Sequence, residues 1–109
     1  MGIEGSGHGM SGEKRVTIRR DTSGATKVFI DALINDRGDL VLEGQDVGAA
    51  PLQIFGDSDY EYWVTVPADQ KEEVLLGLMK EVFGQSERAS SDFMAWLKER
   101  GIQFKFSSY

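Results

Sequence analysis

The chain is 109 residues long, carries a net charge of −6, and has no cysteine and a single histidine, His8. That length makes one domain. The missing thiols exclude disulfides, thiolate metal sites and cysteine nucleophiles, and with the only imidazole at residue 8 the composition argues against a Ser-His-Asp triad, a zinc site or a histidine base.

Residues 1–12 contain five Gly and two Ser and almost nothing apolar. Such a segment cannot bury enough surface to offset its ordering entropy. It is expected to be a flexible, vector-derived tail, leaving residues 13–109 as a single α+β domain. No apolar run approaches the roughly 18 residues of a spanning helix, so no membrane is expected and a reducing cytoplasm is the expected compartment.

Charge is unevenly spread. Residues 31–61 hold eight acids and one base, Arg37, whereas residues 13–27 hold five bases against Glu13 and Asp21. A nucleic-acid binder needs a basic footprint, and only that short basic segment offers one, so nucleic acid is not an expected partner. The acidic middle suits solubility or a basic protein surface.

In chain order, Glu13–Arg20 alternates, with Val16 and Ile18 against Arg15, Thr17 and Arg19, and reads as a charged edge strand. Asp21-Thr22-Ser23-Gly24 is turn composition. Lys27–Asn35 is a strand with Val28, Ile30, Ala32 and Ile34 on one face and Phe29, Asp31 and Leu33 on the other. Asn35-Asp36-Arg37-Gly38-Asp39 signals a hairpin. Its Arg-Gly-Asp tripeptide reads as turn chemistry rather than adhesion. Leu40–Asp46 returns as a third strand, with Val41 and Glu43 facing away from Leu40 and Leu42. Residues 47–58 form either a helical turn opened by Pro51 or a packed Ω loop.

Asp59–Val66 is an aromatic strand. Tyr60, Tyr62, Val64 and Val66 fall on the expected core face, and Asp59, Glu61, Trp63 and Thr65 on the other. Pro67 stops it. Asp69 and Glu72 form a capping-box-like pair ahead of a helix with an apolar stripe through Val74, Leu78 and Phe83, stopped at Gly84. Gly77 inside it costs about 1 kcal/mol against Ala and suggests close packing. Ser86 or Ser90 caps a second helix ending at Gly101. Ile102–Ser107 alternates and reads as a last strand. The order β-β-β-β-α-α-β gives an α+β two-layer sandwich, a mainly antiparallel sheet of four to five strands with two helices on one face. The other sheet face is left open.

Three stretches, Leu40–Asp46, Gly56–Val64 and the closing Trp96-Leu97 with Gly101-Ile102-Gln103-Phe104, resemble a pattern in small bacterial α+β proteins with no assigned function. The resemblance spans most of residues 27–109 and brings no catalytic residue with it.

The open face gathers Phe29, Asp31, Leu33, Val41, Glu43, Glu61 and Trp63. Exposed aromatic and apolar groups among carboxylates mark a binding surface. The candidate binding residues are Asp31, Glu43, Asp57, Asp59, Glu61 and Trp63; no catalytic residue is assigned. Asp57, Asp59 and Glu61 place oxygens at alternate positions, but Tyr62 and Ala68 stand where a Ca²⁺ loop needs Gly and Glu, so no metal or cofactor is expected. These residues suit a non-enzymatic domain that binds a protein partner or itself, including an immunity or inhibitor role against a basic protein. One alternative is a small-molecule or enzymatic module with loop 47–58 as a lid, which requires Tyr60 or Tyr62 beside Trp63 and a carboxyl with a raised pKa. Another is a homodimer through a sheet edge or the helix pair.

Overall fold

A computed structural model describes residues 13–109; the reading of residues 1–12 as a tail lies outside the described residues. The chain has the α+β composition expected: β1 (Lys14–Asp21), β2 (Thr26–Ile34), β3 (Leu40–Gly48), α1 (Ala49–Phe55), β4 (Asp59–Val66), a 3₁₀ turn (Ala68–Gln70), α2 (Lys71–Phe83) and α3 (Ala89–Glu99). It divides into two compact units, one ending at Lys71 and one running Glu72–Tyr109.

The first unit is an antiparallel meander in the order β1-β2-β3-β4. Its turns are built by short polar side chains. Asp21 Oδ1 accepts the Ser23 N–H at 3.1 Å and the Ser23 hydroxyl at 2.8 Å. Asn35 Oδ1 accepts the N–H groups of Arg37 and Asp39 at 3.0 and 2.9 Å, the self-bonding that makes Asn a turn residue. Gly38 sits at φ 83, where a side chain would be strained. Asp39 Oδ1 accepts the Ala68 N–H at 2.9 Å, and the Lys71 ammonium donates to the Gly38 carbonyl at 2.8 Å. The Arg-Gly-Asp tripeptide is thus turn chemistry with a further duty. Its aspartate caps the 3₁₀ turn from the β2–β3 hairpin. The capping pair read at Asp69 is corrected: the 3₁₀ turn starts behind Pro67 with no side-chain cap from that residue, and α2 begins only at Lys71. Partial burial would raise the Asp39 carboxyl, but the Ala68 N–H, the Asn35 amide and Arg37 together hold it below its ordinary range.

Register assigns the faces. Leu33 pairs with Val41, Asp31 with Glu43 and Phe29 with Gln45; Val41 pairs with Thr65, Glu43 with Trp63 and Gln45 with Glu61. These lie on one face, as alternation predicts. In β1 the alternation fails. Thr17 pairs with Asp31 but Arg19 with Ile30, so Ile18 is an extra residue in a bulge. Beyond the bulge the faces exchange, and Arg20, opposite Phe29, joins the face that carries Arg15.

Two expectations about burial are corrected. Leu33 and Val41, read as outward, are 6% exposed, the most buried side chains of the sheet. They oppose each other in the central strands, at the end where Asp39 ties the hairpin to residue 68. On the other face, Tyr62 is half-buried, whereas Val64 in the edge strand is 58% exposed. Tyr62 opposes Gly44. A Cβ on Gly44 would run into the Tyr62 ring, so glycine permits that ring to lie across β3. The Tyr60 and Tyr62 rings are 5.6 Å apart.

Within the stretch 47–58, Val47 and Gly48 end β3 and Ala49–Phe55 is helical rather than an Ω loop. Pro51 stands in its first turn, where a missing N–H costs nothing, and is buried.

In the second unit, Phe83 and Phe93 meet edge to face at 5.3 Å and Leu97 is buried. Ser86 stands ahead of α3, accepting the Arg88 N–H at 2.9 Å and donating to Asp92 at 2.7 Å. Gly101 at φ 67 ends the helix, with its N–H on the Lys98 carbonyl and the Ile102 N–H on that of Leu97, a Schellman stop. Gly77 is not packed: a Cβ there would meet nothing within 4 Å. Residues 102–107 form no strand. Alternation makes a strand only when a neighbour accepts its ladder, and no strand pairs with them among the described residues. Among the described residues no helix is long and apolar enough to cross a membrane.

Candidate binding face

The face that carries Trp63 is built around a single carboxylate. Glu43 lies on β3, between Asp31 on β2 and Trp63 on β4. Its Oε2 accepts from an Arg15 guanidinium nitrogen at 2.8 Å, and the same nitrogen donates to Asp31 Oδ2 at 2.9 Å. Its Oε1 accepts the Trp63 indole N–H at 3.1 Å. Arg15 also reaches Glu13 at 3.3 Å. One arginine therefore bridges two carboxylates that face each other across strands, and one of those carboxylates orients the indole.

The electrostatics follow. The Arg15 hydrogen bonds pull the Glu43 carboxyl below its ordinary 4.5; partial burial opposes this and the indole N–H assists it. Glu43 and then Asp31 hold the guanidinium firmly protonated. Trp63 remains 58% exposed, so its ring face is open while its polar edge is satisfied.

A shallow recess of about 360 Å³ opens beside this cluster, with Arg20, Phe29, Asp31, Glu43, Glu61 and Trp63 in its wall. The Arg20 guanidinium lies 5.4 Å from the centre of the Phe29 ring, its cross-strand neighbour. Of the six residues singled out in the sequence, Asp31, Glu43, Glu61 and Trp63 come together here. Asp59 shares the face but is engaged by the Gln45 amide at 3.0 Å, outside the recess. Asp57 instead accepts the Asp59 N–H at 3.1 Å and shapes the turn ahead of β4.

Arg15 and Arg20 escaped the sequence reading. Arg15 reads locally as a charge guarding an edge strand, and the bulge that re-aims Arg20 has no signal in the alternation. Together with Lys27 they give the face mixed rather than acidic charge.

This recess is not the lidded pocket. No residue of 47–58 lines the recess, and Tyr60 and Tyr62 belong to the opposite sheet face. Asp31 and Glu43 share the Arg15 cation, and Glu43 is pulled down, opposite to what a general acid near neutrality needs. No cluster of three or more His, Cys, Asp or Glu side chains suited to a metal occurs among the described residues. No family model matches the chain, and comparison with curated proteins and with solved structures returns no significant match for it.

Proposed function

We propose that the chain is a non-enzymatic protein-interaction module that binds through the Trp63 face of its sheet. The observation that carries this reading is the state of Trp63. The residue is 58% exposed while its indole N–H is fixed to Glu43, itself fixed by Arg15. A large aromatic held in one orientation loses little freedom on binding and supplies apolar area next to charge, the character of an interface anchor. Arg15, Arg20 and Lys27 offset the acids here, so the face favours a partner presenting both signs of charge over a uniformly basic one.

The reading is tested with Trp63→Ala and Glu61→Lys, each checked for an unchanged amide NMR spectrum away from the site. Both are expected to reduce capture of the partner from a lysate of the source cell, whereas Glu87→Lys on the second unit leaves it intact. Equal capture by all variants would contradict the proposal.

A further inference from the structure

One register line crosses the candidate face from edge to edge: Arg20 on β1, Phe29 on β2, Gln45 on β3 and Glu61 on β4. All four side chains line the recess. Its two ends carry opposite charge, and among the described residues neither Arg20 nor Glu61 has an ion-pair partner within the chain. Three inter-strand steps of about 4.8 Å separate them by roughly 14 Å, too far to pair with each other.

A charge pattern that reverses sign across the middle of a sheet has a geometric consequence. Let a second copy lie face to face on the first, related by a two-fold axis that runs parallel to the strands between β2 and β3. The operation places β1 of one copy over β4 of the other without changing position along the strands. Arg20 then meets the partner's Glu61, and Glu61 meets the partner's Arg20, so one operation matches every one of these charges in two equivalent pairs. In the next register line Trp63 comes over Thr17 of the second copy, a small residue beside the Arg15 guanidinium. The acids nearest the axis also meet across it, Asp31 of one copy over Glu43 of the other, and each copy holds both of its own on Arg15.

We infer that the partner of this face is a second copy of the same chain, joined in an isologous sheet-to-sheet dimer by reciprocal Arg20–Glu61 pairs around Trp63. The inference rests on the Trp63 face being an interaction surface, and it names the occupant. Four strands about 4.8 Å apart and some eight residues long span roughly 500 Å² per copy, an upper bound, because the end of the face at Leu33 and Val41 is already buried. That is below the roughly 800 Å² per partner of a standard interface, so the dimer is a weak one.

Sedimentation velocity on the full chain, from about 10 μM to about 1 mM, tests it. The wild type is expected to shift from monomer to dimer within this range. R20E and E61R each oppose like charges twice and are expected to weaken association by at least about tenfold. An equimolar mixture of R20E and E61R restores both pairs and is expected to recover the dimer, as is the double variant R20E/E61R. Amide NMR verifies the fold of each; if a reversal perturbs it, Arg20→Gln and Glu61→Gln replace the reversals, each expected to weaken the dimer and their mixture, which regains one of the two pairs, expected to recover it in part. A wild type that stays monomeric, a dimer indifferent to the reversals, or a mixture that fails to recover it would each overturn the inference. Should the chain stay monomeric while Trp63→Ala and Glu61→Lys lose a different captured protein, the interaction-face reading stands and the second copy is ruled out.

Discussion

Trp63 and Arg15 are joined through opposite oxygens of one carboxylate: the indole N–H sits 3.1 Å from Glu43 Oε1, and the guanidinium 2.8 Å from Glu43 Oε2. They stand on the two edge strands of the sheet, so the orientation of the exposed aromatic on β4 depends on a cation on β1. Removing that cation leaves Asp31 and Glu43 facing each other uncompensated. Arg15→Ala is expected to destabilise the fold by no more than about 1 kcal/mol, since these side chains are partly solvated. It is also expected to change the near-ultraviolet circular dichroism of Trp63, read in a Trp96→Phe background.

The same carboxylate makes the site sensitive to acid. Glu43 has a folded-state pKa below its ordinary 4.5, chiefly because Arg15 donates to it. The folded state therefore takes up the proton less readily than the unfolded one. The stability this provides is fully present above pH 4.5 and is lost as pH falls through the lowered folded value. With the side chain 38% exposed, the loss is about 0.2–1 kcal/mol. The Trp63 indole N–H resonance is expected to move in that acidic window and to stay still in Glu43→Gln.

Gly44 and Tyr62 give a sharper stability test. The Tyr62 ring lies where a Gly44 side chain would project. Gly44→Val is expected to destabilise by about 1–3 kcal/mol through overpacking, read as a lower denaturation midpoint with an unchanged denaturant slope.

The sheet faces were legible because period-two alternation is strict in β2, β3 and β4. Phe29, Asp31, Glu43, Glu61 and Trp63 could be placed together before any pairing was known. Register was not legible, and register is what creates the Arg15 cluster. Alternation assigns a residue to a face without saying which residue of another strand stands beside it. The bulge at Ile18 compounds this by turning Arg20 over. Asp39 was hidden for a related reason: its cap on Ala68 spans 29 positions in the chain, whereas capping signals are read within a few residues. The segment 102–107 shows the converse, an alternating pattern with no ladder to complete.

Gly77 lies in the interior of α2 with open space at its Cβ position. The backbone freedom it brings is then pure cost. Gly77→Ala is expected to stabilise the protein by about 1 kcal/mol, seen as a higher thermal midpoint with no change at the Trp63 face.

The most direct measurement on that face uses the two indoles as probe and control. In ¹⁵N-tryptophan-labelled protein, the Nε1–H signals of Trp63 and Trp96 are compared in dilute solution, in concentrated solution and in source-cell lysate. If the Trp63 face is the binding surface, its signal shifts or broadens in at least one of the two latter conditions while that of Trp96 holds still. Both signals unchanged in all three, or Trp96 alone responding, would contradict it.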